Sequence, residues 1–242
     1  LLELLSLGLN EGTIPAEGEL SLVKGISYRT DNGTQVNPLR PRMSRMEYDS
    51  LTPSTHTITS YPLFRAARVY VEVLRGCSNY HRAQGSLSEE TCNACDLCRS
   101  GGLESRYDCP HSLPPGCGYC SVPSLFGPPK SRSVKKIYEE VENLLREGVR
   151  RIVLSAPGFL DYGRDLQVEP EPLTDPRSPE PNYEALENLL SGLSDLAPIA
   201  EGEASLMIEN LKGDLVMEKA AKILGKYLSG TPVNIGFETG SE

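Results

Sequence analysis

Arg68-Val69-Tyr70-Val71-Glu72-Val73-Leu74-Arg75-Gly76-Cys77 is the stretch on which the reading of the fold turns. Val69, Val71 and Val73 alternate with Tyr70, Glu72 and Leu74, a near-continuous apolar run that suits a strand covered on both faces. Further along, Val134, Ile137, Tyr138, Val141, Leu144 and Leu145 keep the spacing of an amphipathic helix, with Gly148 placed to stop it. Arg151-Ile152-Val153-Leu154-Ser155 reads as a second strand, and Leu186, Leu189, Leu190 and Leu193 as a second helical stripe. Leu206-Met207-Ile208-Glu209 is a third strand. Val216, Ala220, Ile223, Leu224 and Tyr227 give a third helix, and Val233 to Phe237 a fourth strand. Strands alternating with helices predict an α/β fold, a parallel sheet joined by right-handed crossovers. Four such strands suit part of a β/α barrel or a doubly wound sheet. In both, ligands gather at the C-terminal ends of the strands, where Cys77, Ser155, Glu209 and Glu238 fall.

Residues 1–67 read differently. Ser21 to Arg29 and Thr34 to Asn37 are two short, partly alternating strands, and Asp31-Asn32-Gly33 between them signals a hairpin. Arg40-Pro41-Arg42 and Thr52-Pro53-Ser54 read as extended linker. Leu1 to Leu5 look like the last turns of a helix stopped by Gly8. With no initiator Met, and a strand running into a turn at Gly240, the chain reads as a segment of a longer polypeptide. Glu169 to Pro181 holds five prolines and is expected to be an exposed loop.

Composition narrows the function. The 242 residues carry a formal charge of −9, with a pI near 5.0, which argues against a general nucleic-acid binder. No run approaches the roughly 18 apolar residues that would span a bilayer, and no charged region leads into an apolar one as in a secretory signal. A soluble, cytoplasmic protein without a membrane partner is expected.

All seven cysteines, Cys77, Cys92, Cys95, Cys98, Cys109, Cys117 and Cys120, lie between positions 77 and 120. An odd number of thiols at two-residue gaps suits metal binding better than disulfides in a chain with no sign of secretion. Cys92-x2-Cys95-x2-Cys98 followed by Cys109-Pro110 has the rhythm of ferredoxin loops. Four such thiolates could equally hold zinc or a single iron. Cys77, Cys117 and Cys120 remain, and three thiolates on a cubane cluster leave one iron open to substrate.

Arg75-Gly76-Cys77 after the first strand, followed later by Gly116-Cys117-Gly118-Tyr119-Cys120, resembles the radical S-adenosylmethionine (SAM) superfamily. That family's signature is Cys-x3-Cys-x2-Cys with an aromatic before the last cysteine, the place held by Tyr119. The sequence departs from it in one respect. The position four after Cys77 is His81, and 39 residues separate Cys77 from Cys117. Either an insertion, 78–116, splits the motif and carries the other four cysteines, or His81 is itself a ligand. The insertion is the reading taken here.

Gly236-Phe237-Glu238-Thr239-Gly240-Ser241 looks like the family's segment whose acidic residue contacts SAM, and Ser155-Ala156-Pro157-Gly158 sits where the SAM amino group is met. The latter lacks the usual glycine–glycine–acid signature. The lead-in through Asn37-Pro38-Leu39-Arg40-Pro41-Arg42 looks like the stretch joining a cobalamin-binding domain to the barrel. The resemblance therefore implies two regions. Residues 1–67 would be the tail and linker of an upstream cobalamin domain, and 68–242 the first part of a radical SAM (β/α) barrel.

The subgroup includes class B radical SAM methyltransferases, among them the archaeal glutamine C-methyltransferase of methyl-coenzyme M reductase. What the resemblance implies is a [4Fe–4S] cluster on Cys77, Cys117 and Cys120 that reduces SAM to a 5′-deoxyadenosyl radical. Cobalamin would be bound mainly upstream. Tyr119, Ser155 and Glu238 would lie against cluster or SAM, and Glu209 is a candidate SAM contact on its place at the third strand's end alone. Cys92, Cys95, Cys98 and Cys109 would form a second site of Fe–S, zinc or iron. Partners would be an electron donor and a protein or small-molecule substrate. Rival readings are radical SAM chemistry of another kind, such as lipid modification or rearrangement, and a non-catalytic metal-stapled module.

Other side chains carry weaker signals. His56 and His111 read as solvated loop residues, and Tyr80 as a packing aromatic or a neighbour of the cluster. Lys130, Arg132, Lys135 and Lys136 form a basic run expected on a solvated face.

Overall fold

In the computed structural model, which describes residues 1–80, 82, 95, 97, 109–228 and 230–236, the chain divides into two units, Leu1–Arg42 and Met43–Glu242. In the first, Gly8 takes a left-handed conformation (φ 102°) just after α1 (Leu2–Ser6), its N–H bonded to the Leu5 carbonyl at 3.2 Å. Glu19 caps α2 (Glu17–Leu20) by accepting from the Ala16 N–H at 2.9 Å. β1 (Ser27–Thr30) and β2 (Gly33–Val36) form an antiparallel hairpin in which Thr30 faces Gly33, leaving Asp31-Asn32 as the two turn residues.

The extended stretch expected from Ser21 begins only at Ser27. Buried Asn37 accounts for the difference. Its amide donates to the Leu20 and Val23 carbonyls, 2.7 Å each, and so fixes the chain in turns before Gly25 (φ 74°).

In the second unit, Ser44 and Glu47 cap α3 (Arg45–Ser50) reciprocally. There follow β3 (Val69–Glu72), β4 (Leu74–Arg75), α4 (Val122–Phe126), β5 (Lys130–Ser131), α5 (Val134–Arg146) and β6 (Arg151–Ser155). Beyond them lie α6 (Arg164–Val168), α7 (Tyr183–Ser194), α8 (Ala197–Ala200), β7 (Ser205–Ile208), β8 (Asn210–Leu211), α9 (Glu218–Tyr227) and β9 (Asn234–Ile235). Among the described residues, β3, β6 and β7 form a parallel sheet in that order, with Val71 opposite Leu154 and Leu154 opposite Ile208. β8 and β9 pair in parallel beside Glu209, whose carbonyl accepts from the Asn234 N–H at 3.2 Å.

The first three strands and the helices between them are thus present, explained by apolar periodicity, while the expected fourth strand forms only at Asn234–Ile235, paired with β8 outside that sheet. Ile137, Val141, Leu144 and Leu145 of α5 and Leu186, Leu189, Leu190 and Leu193 of α7 are buried on Val71, Ile152, Leu154, Leu206 and Ile208. Each such side chain contributes roughly 1.5–3 kcal/mol by leaving water. Leu189→Ala, which would leave a cavity at a fully buried position, should cost about 2–5 kcal/mol.

The apolar run from Val69 to Leu74 is not one strand. The Val73 N–H bonds the Ser155 carbonyl at 2.9 Å, and the chain then turns so that Leu74 and Arg75 pair antiparallel with Ser131 and Lys130. Arg132, expected on a solvated face, is buried. It donates to the Glu72 carbonyl and to Glu140, 2.7 Å each, because the β4–β5 pair turns it inward against α5. Lys135 stays exposed. In the proline-rich stretch, Leu173 and Pro181 are buried and the residues between lie at or near the surface.

Candidate active site

Ser155 is the last residue of β6, and Glu209 lies between β7 and β8, so both stand at the C-terminal ends of parallel strands. The structure joins them, with Ser155 Oγ donating to Glu209 Oε2 at 3.4 Å. Cys77 follows β4 on the same chain turn.

The turn that presents Cys77 depends on glycine. Gly76 has φ 98°, and a Cβ there would fall 2.3 Å from the Pro128 carbonyl oxygen, closer than any side chain tolerates. This close approach lets the Cys77 N–H bond the Gly127 carbonyl at 3.1 Å. On the opposite segment Gly116 (φ 92°) lies against Asn79 and Pro123, a Cβ there meeting the Asn79 carbonyl oxygen at 3.3 Å and Pro123 Cγ at 2.7 Å. Buried Tyr80 completes the seam by donating to the Pro123 carbonyl at 3.4 Å. Residues 76–80 and 116–128 therefore lie side by side, although 39 residues separate the cysteines they carry.

Cys77 is half-buried, Cys117 and Cys120 are exposed, and none of the three is in a disulfide. Among the described residues, no three His, Cys, Asp or Glu side chains gather around one point as metal ligands. The donor chemistry and the adjacency of the two segments fit a cluster bound by three thiolates, while the thiols themselves are not drawn together. Burial pushes the Cys77 thiol above the usual range, and the Lys212 ammonium and the Asn79 N–H (3.4 Å from Sγ) pull the other way.

Beneath Cys77 lies a polar network that no periodicity announces. Asp161, fully buried after β6, receives Arg164 Nη1 on Oδ1 and Lys212 Nζ on Oδ2, 2.5 Å each. Ser78 Oγ donates to Asp161 (3.0 Å to Oδ2) and lies 2.6 Å from Lys212 Nζ. Carbonyls of the proline-rich stretch surround the rest of the Arg164 guanidinium. Pro179 accepts from Nε at 2.8 Å and Nη2 at 2.6 Å, with Pro176 and Asp175 further out. Burial works against the Lys212 ammonium, yet Asp161 beside it keeps its pKa above the ordinary lysine value. Gly158 makes room for the lysine, since a Cβ there would lie 3.0 Å from Lys212 Cε.

The remaining sequence candidates divide clearly. Tyr119 is 79% exposed. Cys95 and Cys109 are half-buried. Cys92, Cys98, His81 and Glu238 lie outside the described residues. His56 is exposed, its Nδ1 3.2 Å from Glu147, and His111 is exposed.

The fold is similar to that of a solved cobalamin-dependent S-adenosylmethionine radical enzyme, OxsB, with a TM-score of 0.50 and 17% identity, covering 93% of this chain and 26% of that one. Sequence relatives are closer. Uncharacterized protein MJ1620 of Methanocaldococcus jannaschii is 45% identical across 95% of this chain, and uncharacterized protein MK0932 of Methanopyrus kandleri is 43% identical across 97%. The chain spans less than half the length of these two relatives, 45% and 42%. A shorter stretch of 51 residues is 49% identical to the ribosomal protein uS12 methylthiotransferase RimO of Thermotoga maritima, covering 21% of this chain and 12% of that one. No family model matches. Among the described residues, no helix is long and apolar enough to cross a membrane.

Proposed function

We propose that this chain is the cluster- and SAM-binding part of a cytoplasmic radical SAM enzyme with the first strands of a partial (β/α) barrel. Its chemistry would be cobalamin-dependent C-methylation of an unactivated carbon, such as that of a protein glutamine. The observation that carries the reading is the seam between residues 76–80 and 116–128, which sets the Cys77 segment beside the segment of Cys117 and Cys120 at the strand ends. Cys77, Cys117 and Cys120 would hold a [4Fe–4S] cluster that, with SAM bound, would supply radical chemistry that protein acid–base groups cannot provide.

The chain's own residues take simpler roles. Gly76 fixes the direction of Cys77, and Ser155 with Glu209 offers a hydroxyl and a carboxylate to the ligand's polar groups. The likeness to a cobalamin-dependent enzyme supports the upstream cobalamin domain through the fold alone. Cys92, Cys95, Cys98 and Cys109 are proposed as a second metal site on their spacing.

Anaerobic reconstitution of the full-length polypeptide with iron, sulfide, SAM and cobalamin tests this. Release of 5′-deoxyadenosine is expected, and transfer of a labelled methyl group selects methylation. Release of 5′-deoxyadenosine without methyl transfer would indicate other radical chemistry. No release at all would leave a metal-stapled module.

A further inference from the structure

At the end of the sheet opposite the candidate site, positive charge stands without an answer. Arg151 opens β6 and Arg68 directly precedes β3. Because Val69 pairs with Ile152, the two exposed arginines stand abreast at the strand starts. Like charges side by side on neighbouring strands are destabilising. Arg146 and Arg150, at the same end, each have a carboxylate, Glu142 at 2.9 Å and Glu203 at 3.9 Å, and Glu147 is engaged by His56. Among the described residues no carboxylate pairs with Arg65, Arg68 or Arg151, although the chain carries a formal charge of −9. Arg151 donates to the Ala66 carbonyl at 3.3 Å, and the Arg65 guanidinium lies 5.7 Å from the centre of the Phe64 ring. Arg65 also lies beside Gly148 just past α5, where positive charge suits the helix's last carbonyls. That structural role does not extend to Arg68 and Arg151.

The turn that leads into Arg68 is shaped against its own stability. Leu63 is held in left-handed backbone (φ 60°), which a leucine enters only at a cost. The Ala66 and Ala67 N–H groups fix it there by bonding its carbonyl at 2.9 and 3.2 Å. Burial does not offset the strain, since Leu63 is 83% exposed and nearby Tyr61 is 64% exposed.

We propose that this end of the sheet is a peripheral docking surface for an anionic lipid bilayer. Leu63 and Tyr61 would enter the headgroup region, which accommodates both an apolar chain and an aromatic hydroxyl. Arg65, Arg68 and Arg151 would meet lipid phosphates, which the guanidinium fork binds bidentately. Apolar side chains this exposed project outward, and that suits entry into a bilayer better than gripping a peptide. The contact needs no spanning helix and no bound cofactor, so it stands apart from the proposed chemistry. It also leaves Ser155 and Glu209, at the other ends of the strands, facing away from the lipid.

The test mixes the full-length polypeptide with vesicles of phosphatidylcholine alone, or of phosphatidylcholine and phosphatidylglycerol in equal parts, and follows co-sedimentation. Binding to the mixed vesicles only, weakening as salt rises, is expected. Arg68→Gln combined with Arg151→Gln should weaken it by about 25-fold, roughly 5-fold for each charge removed. Leu63→Asn, which suits the left-handed backbone, should also weaken binding while unfolding at no lower urea concentration than wild type. A purely structural Leu63 would give the opposite pattern and overturn its part in docking. Wild type that ignores both vesicles or binds them equally overturns the proposal, as does unchanged binding by the folded double arginine variant. The wild-type comparison alone decides the matter should a variant misfold. If wild type binds soluble polyglutamate and neither vesicle, the lipid assignment falls and the surface fits an acidic protein instead.

Discussion

Ser155 and Glu209 meet across neighbouring strands at 3.4 Å, although 54 positions separate them in the chain. At that distance the bond is weak, so it holds the carboxylate in place without saturating it. A charge-assisted hydrogen bond to a ligand is worth about 1.5–3 kcal/mol. Glu209→Gln should therefore raise the KM for SAM by about 10- to 100-fold. Ser155→Ala should raise it several-fold less, with iron content unchanged in both. Kinetics of 5′-deoxyadenosine release decide this, and a Glu209→Gln enzyme with wild-type KM would remove Glu209 from the site.

The two cysteine groups should separate in a metal assay. Cys117→Ala is expected to abolish SAM cleavage and the cluster's absorbance. Cys95→Ala should lower metal content in part or weaken folding while leaving cleavage detectable. The reverse pattern would exchange the roles of the two groups.

Asp161→Ala would take the shared carboxylate from the buried Arg164 guanidinium and the part-exposed Lys212 ammonium. Removing one member of a buried ion network costs about 3–5 kcal/mol, and a urea unfolding midpoint should fall accordingly. Asp161→Asn, which keeps the shape and one acceptor, should fall less. A loss under about 1 kcal/mol for the alanine variant would mean that water reaches this network.

Gly76→Ala should be among the most damaging single-methyl changes, because the left-handed backbone and the Pro128 carbonyl at 2.3 Å both oppose it. Gly202→Ala serves as the control. Gly202 shares the positive φ (77°) but has open space around it, so only the backbone strain of about 1–2 kcal/mol applies. Equal losses in the two variants would show that the Pro128 contact relaxes freely.

Glu140 supplies a pH dependence with a definite sign. Burial raises its pKa, and the Arg132 guanidinium at 2.7 Å opposes the rise without cancelling it. A carboxyl raised in the folded state stabilises the fold most below its unfolded value of 4.5, and that stability is lost as pH climbs through the folded value. Wild type should therefore gain stability relative to Glu140→Gln as pH falls from neutral towards 4.5. Paired urea titrations across that range check it, and a constant difference between the two would contradict the assignment.

Much of the fold was legible because burial repeats with a period. Leu186, Leu189, Leu190 and Leu193 announce a helix whichever sheet receives it, and Ile152 to Leu154 announce a covered strand. The break at Val73 was not legible, since Leu74 and Arg75 are as strand-like as their neighbours and turn away only because Lys130 and Ser131 lie ready to pair. Ser155 and Glu209 were placed at strand ends from the sequence, and the structure sets them there. Asp161, Arg164 and Lys212 were missed. Lys212 lies 51 positions from Asp161 and 134 from Ser78, and nothing local marks a charge destined for the interior. One clue was present, in that Asp161 and Arg164 stand a helical turn apart directly after an apolar strand and its turn.

Arg164 also changes what can be done to the proline-rich stretch. Surface segments of this composition usually accept trimming, splicing or an inserted tag at small cost. Here the peptide oxygens of Asp175, Pro176 and Pro179 wrap a guanidinium that has no exposure to solvent. Cutting the segment short would strip that sheath away, so engineers seeking a permissive splice point should look elsewhere on the molecule.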